Sequence, residues 1–167
     1  MNISIAQCRY LLSLADPILA GLDDSHRAIE PRLGTKTAGW LIGHLAVTGD
    51  VARRLCGRSP ICPKEWRSKF NPDTQPSSNP DEYPPMDQLR QVFHAVYDDL
   101  CIAATVADAA TLEADNPFAP ARDAFPTVGE FVAYLLTGHL GYHLGQLVAW
   151  RASAGLGRLL RPDADVA

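Results

Sequence analysis

Residues 131–150, FVAYLLTGHLGYHLGQLVAW, contain no Asp, Glu, Lys or Arg over a full 20 positions. A run of that length and polarity has two homes: a bilayer, which takes a helix of about 20 residues, or the interior of a folded protein. Two histidines, Thr137, Gln146 and three glycines dilute its apolar character, and no second run of this kind accompanies it. We read it as the most buried helix of a soluble protein, with no membrane partner. That helix must then be covered by others.

Apolar spacing near 3.6 supplies the others. Residues 3–22 place Ile5, Cys8, Leu11, Leu12 and Ala15 on one face, with Pro17 expected to kink or interrupt the helix. A short acidic turn over 23–29 follows, broken by Pro31 and Gly34. A second helix starts at Thr35 or Thr37 as N-cap and ends at Gly57. It shows Trp40, Leu41, His44, Val47, Val51 and Leu55 on its apolar side, and Asp50, Arg53 and Arg54 elsewhere. A third begins after Pro84-Pro85 and reaches about Ala110, and a fourth runs from Thr127 or Val128 to Ala154 or Gly155. No segment alternates with period two, so strands are not expected.

The stretch 58–85 is rich in Pro, Ser and Asn and reads as irregular. A loop this long in a compact domain is functional or a crossover. The expectation is an all-α four-helix bundle with a long crossover between helices two and three, a single domain over 1–167, and a frayed tail over 159–167.

Charge and cysteine usage narrow the function classes. A net charge of −4 with scattered basic residues gives no footprint for nucleic acid. The four cysteines form no CxxC, and Cys8 and Cys101 fall in helical runs as small hydrophobes. Arg9 interrupts the early apolar run and no small-residue cleavage site follows, so no signal peptide is read. Free thiols in a reducing cytoplasm are the corresponding expectation.

The chemistry lies in three histidines. His139 and His143 stand one helical turn apart on the fourth helix, in one stripe with Gln146 and Trp150, and His44 lies on the apolar face of the second. An i, i+4 histidine pair arises by chance roughly one time in eight with five histidines in a chain this long, so the pair alone is weak. Satisfied core histidines are one reading. The other is a shared metal, which would meet the polar needs of three buried imidazoles at once and leave coordination positions open. His26 sits in a polar connection, and His94 has Asp98 a turn away as its expected surface partner. The glycines Gly138, Gly141 and Gly145 gather opposite the histidine stripe. Each costs about 1 kcal/mol of helix propensity relative to alanine, which close helix approach within the bundle or across a homodimer would offset.

Several chemistries are missing. The motif reads HLGYH, not HExxH, and no carboxylate shares the faces of His44, His139 or His143. A diiron carboxylate site is thereby excluded, and no catalytic base is identified.

The segments TAGWLIGHLAVTGDVARRL, DEYPPMDQLRQVFHAVYDDL and FPTVGEFVAYLLTGHLGYHLGQLVAWRASAGL, with the proline-rich crossover, resemble the DinB/YfiT-like superfamily of four-helix-bundle metalloenzymes. The HxxxHxGQ of the last segment is the most specific match. The resemblance implies a divalent metal held by His44, His139 and His143, with zinc, nickel or iron as its identity. It also implies a metal-dependent enzyme of thiol S-transferase or hydrolase type, acting on a small-molecule substrate with a low-molecular-weight thiol as partner. The alternatives are a non-enzymatic metal-binding or stress-related bundle, and a metal-free structural descendant.

Overall fold

The computed structural model describes residues 1–157, so the tail expected over 159–167 lies outside the described residues. Its long helices are α1 (Asn2–Leu19), α2 (Ala38–Leu55), α4 (Met86–Val106) and the pair α6 (Val128–Tyr134) and α7 (Leu140–Ser153). A π turn over Leu135–His139 joins that pair without a break. Two short helices, α3 (Trp66–Phe70) and α5 (Ala109–Glu113), lie in the connections. No strand occurs among the described residues, which hold only an isolated bridge between Asp115 and Thr127. The fold is all-α. α2 packs on α4 and α7, and α1 packs on the same two helices, so each long helix has two long neighbours.

Local chemistry explains most boundaries. Thr37, not Thr35, caps α2 by accepting a hydrogen bond from the Trp40 amide at 3.2 Å. Thr127 and Glu130 form a reciprocal capping box at the start of α6. Asp24, from the turn before α2, caps α4 by accepting from the Met86 amide at 2.8 Å. Gly57 follows α2 with φ of +83°, the left-handed conformation a helix stop favours. Pro17 does not interrupt α1, which continues to Leu19 and stops short of the expected Leu22. Pro17 lacks the N–H that would reach the Ser13 carbonyl, but the helix has only two residues left to run, and Arg151 of α7 donates to the Ile18 and Ala20 carbonyls at its end. The third long helix ends at Val106 because Asp108 caps the separate helix α5, accepting from the Thr111 amide.

Two expectations about burial are corrected. Every residue over 37–47 is buried, so α2, not the uncharged fourth segment, is the most enclosed helix. Gly138, Tyr142, Gly145 and Val148 of that segment are exposed. The close approaches belong to α2 as well: a Cβ on Gly39, Gly43 or Gly49 would lie 2.7–2.8 Å from the Arg27 carbonyl, the Phe70 ring or a Val96 methyl, respectively. On the fourth segment, a Cβ on Gly138 would crowd only Tyr134 of the same segment at 3.2 Å, one on Gly141 would make ordinary contact with Leu11, and one on Gly145 would meet nothing within 4 Å. Close approach of another helix within the chain therefore does not explain that glycine face.

Asp50 and Arg53 also depart from expectation. Both are buried, at 2% and 4% exposure. Arg53 Nη1 donates to Asp50 at 2.7 Å and to the Ser59 carbonyl, while Nε and Nη2 reach Asp99 of α4. Asp50 accepts the Ile61 amide at 2.8 Å. One guanidinium thus ties α2 to α4 and to the start of the crossover. Within that crossover, α3 buries Trp66 and Phe70, so the region is not wholly irregular. Their i, i+4 spacing is a single helical turn, too short to stand out as a period.

No described helix is long and apolar enough to cross a membrane. Replacing Arg53 by Met leaves Asp50 buried without its cation, which costs about 3–5 kcal/mol. Urea unfolding should show a clearly lowered midpoint, and a midpoint equal to wild type would contradict the tie.

Candidate metal centre

His44 sits near the middle of α2, His139 closes the π turn, and His143 lies one turn into α7. A π turn takes an extra residue, which rotates the helix beyond it relative to the helix before. Thr137, whose hydroxyl donates to the Ala133 carbonyl, and Gly138 lie within this turn. The turn sets the direction in which His139 and His143 leave the helix. Nothing in the periodicity of the sequence announced it.

The three imidazoles meet. Ring centroids are 5.1 Å apart for His44 and His139, 4.7 Å for His44 and His143, and 4.5 Å for His139 and His143. One nitrogen from each falls within 4.8 Å of the other two, so the group could hold a metal ion. His44 and His143 are buried, and His139 is partly so. His26 and His94 stay apart from the cluster. His26 engages Asp23 within its own turn, and His94 pairs with Asp16 of α1 at 3.5 Å instead of the expected Asp98.

Two of the three rings are oriented from outside the cluster. His44 Nδ1 donates to the Phe70 carbonyl at 2.7 Å, which leaves the lone pair on Nε2. The Trp40 ring lies flat against His44, 4.6 Å between centroids and 9° between planes. His143 Nδ1 pairs with Gln146 Oε1 at 2.7 Å. Such outer partners set the tautomer and direction of metal-ligating histidines. Gln146 was legible as a neighbour one turn on; Phe70, 26 residues away on α3, was not.

His139 is different. Its Nδ1 is buried without a hydrogen-bond partner among the described residues, while its Nε2 stands 3.2 Å from His44 Nε2. Because His44 Nε2 carries a lone pair, that short contact is a hydrogen bond only if His139 donates from Nε2. Two nitrogens ligating one ion at about 2.05 Å in tetrahedral geometry stand roughly 3.3 Å apart, so the same spacing fits a shared metal.

Electrostatics make the donors available. Burial pushes His44 down to about 4, with the Phe70 hydrogen bond opposing and the neighbouring His143 adding to the depression. Burial, with repulsion from both neighbours, takes His139 down to about 3. His143 is lowered mainly by burial, against the hydrogen bond it donates to Gln146 Oε1. All three are neutral near pH 7, the state a metal requires. The donor set fits a divalent ion.

The histidines line a cleft of about 570 Å³. A larger share of its lining comes from the connection between α5 and α6 and from α6 itself, through Phe118, Phe125, Phe131 and Tyr134. This aromatic contribution was not anticipated, since residues from 117 to 126 show no regular period.

The profile of the DinB superfamily matches residues 9–147. The chain belongs to the DinB superfamily. No curated protein and no solved structure matches it. In this DinB protein the matched span contains the three histidines of the cluster, together with Gln146 and Phe70.

Two outcomes test the geometry. A Cβ at Gly43 would lie 2.7 Å from three atoms of the buried Phe70 ring. Gly43→Ala should therefore destabilise by about 1–3 kcal/mol, as overpacking does, and displace the carbonyl that orients His44. Unfolding by denaturant would reveal this, and an unchanged stability would refute the close approach. The second outcome concerns pH. The unfolded imidazoles titrate near 6.5 and the folded ones lower, so the unfolded chain binds more protons as pH falls. Stability of the chelator-treated protein is then full above about pH 6.5 and is lost as pH drops toward about 4 and 3. Denaturation across that window should show the loss, and His139→Gln should flatten it. Identical pH profiles for the two proteins would contradict burial of neutral imidazoles.

Proposed function

We propose that this DinB protein binds one divalent metal ion through His44, His139 and His143 and uses it to act on a small molecule. The observation that carries the reading is the convergence of three neutral imidazole nitrogens, two of them on rings oriented from outside, beside a cleft of small-molecule size. A closed structural site would be surrounded by protein, whereas three ligands bordering a cleft leave room for an exogenous ligand, as catalytic sites do.

The residues divide the work. His44 and His143 enter with tautomers set by the Phe70 carbonyl and Gln146. Trp40, flat on His44, limits ring rotation and keeps water from that side. When bound, the metal supplies Lewis acidity, polarising an oxygen or sulfur ligand and lowering its pKa. Among the described residues, the cleft lining contains no Asp or Glu to serve as a base. A nucleophile that gives up its proton easily suits such a site, and a thiol, with an ordinary pKa of about 8.5, does so far more readily than water. We therefore favour thiol S-transfer to a small electrophile over hydrolysis. The reducing cytoplasm, where such thiols and the four free cysteines persist, is the setting that fits this chemistry.

Purified protein should carry close to one equivalent of zinc, nickel or iron by elemental analysis. His143→Ala should lose it, and full retention in that variant would sink the assignment. Chelator should remove activity toward thiol and electrophile pairs while leaving the helices folded. Collapse of the fold on chelation, with no metal-dependent turnover, would instead identify a structural metal. The homodimer reading rests on the exposed glycine face around Gly145, and sedimentation showing a monomer at micromolar concentration would overturn it.

A further inference from the structure

The cleft beside the histidines is chemically lopsided. Along one wall, Phe125 stacks on Tyr134 at 4.5 Å and 19°, and Phe118 stacks on Phe131 at 5.5 Å and 14°. Phe125 and Phe131 lie 6.2 Å apart, so the four rings form one continuous surface. The loop that carries Phe118 and Phe125 is held in shape by Asn116, a fully buried side chain. Asn116 Nδ2 donates to the Phe125 carbonyl and its Oδ1 accepts the Phe118 amide, at 2.9 and 3.0 Å. A buried polar side chain with both ends satisfied is a costly device for a mere connection, and here it fixes an aromatic wall.

The opposite side carries charge of one sign. Among the described residues, Lys36 is the one formally charged residue lining the cleft, together with three histidines and no carboxylate. Its Nζ lies 4.1 Å from the centre of the Trp40 ring, the same ring that stacks on His44. One of its three N–H donors goes to the Thr74 carbonyl at 3.0 Å, and the rest remain for a ligand. Partial burial works against the charged form of Lys36, so an anion beside it would restore what desolvation removes. Three neutral imidazoles cancel none of a divalent ion's charge either. Positive charge without a carboxylate in a largely apolar cleft calls for an anion from outside.

We propose that the cleft selects a small monoanion with a flat aromatic body, its rings against the wall of Phe118, Phe125, Phe131 and Tyr134 and its carboxylate or thiolate head toward Lys36 and the histidines. This rests on the metal reading above and adds the ligand class to it.

The test uses the full chain loaded with cobalt(II), whose visible spectrum reports ligation, together with calorimetry. Phenylacetate should bind at least tenfold more tightly than acetate, which lacks the aromatic body, and than phenylacetamide, which lacks the charge. Benzyl mercaptan, titrated in parallel, distinguishes the heads: a sulfur-to-cobalt charge-transfer band marks thiolate ligation. Lys36→Met should weaken phenylacetate about tenfold without altering cobalt stoichiometry. Phe125→Ala should shrink the preference for phenylacetate over acetate, with the helical circular dichroism signal confirming that each variant folds. Equal affinities for phenylacetate and acetate, or for phenylacetate and phenylacetamide, in protein that holds its cobalt would overturn the ligand class and leave the metal reading intact. If cobalt does not bind, the metal reading has failed. The same titrations on chelator-treated protein then decide the ligand class from Lys36 and the aromatic wall alone: a retained preference for phenylacetate supports it, and its absence overturns it.

Discussion

Close packing around α2 is the constraint on which the rest depends. α2 touches α3, α4, α6, the π turn and α7, and its glycines let Tyr83, Phe70 and Val96 approach to distances no Cβ would allow. Burying a helix on all sides leaves its polar residues no water, so each must find a partner inside the protein. Asp50 and Arg53 find each other, Asp99 and the start of the crossover. His44 finds the Phe70 carbonyl on one nitrogen and His139 on the other. The candidate site is in that sense a product of how completely α2 is enclosed.

The crossover is part of the site for the same reason. Gly43 makes space for the Phe70 ring, the Phe70 carbonyl orients His44, and Thr74 anchors both the Trp40 indole and Lys36. Trp66 and Phe70, buried on α3, hold that segment against α2. A polar, proline-rich stretch thus supplies the outer partners of a buried imidazole. The connection between α5 and α6 does the corresponding work on the far wall, where Asn116 shapes the aromatic surface.

Legibility followed interaction range. Thr37, Thr127, Glu130 and Gly57 act on residues within one turn, so helix ends could be read from short patterns. His139 and His143 are four residues apart, and the family pattern joined His44 to them. Asp50 and Arg53 misled because charge on a helix usually faces water, and only their pairing makes burial tolerable. His94 took Asp16 instead of Asp98 because α1 packs against α4, a fact outside the helix that carries both. The π turn was invisible because one added residue in a turn leaves the apolar composition of the run unchanged.

By itself, the sequence determined the all-α class, the four long helical segments with the end signals at Gly57 and Thr127, and the three imidazoles on apolar faces, since all of these follow from spacing within a turn or two. Tertiary structure alone decided which helix is most enclosed and how the three rings are oriented. It also decided that Lys36 and four aromatic rings share a cleft with them. Those outcomes depend on contacts between residues dozens of positions apart, whose free energy is set by mutual burial and not by any local pattern.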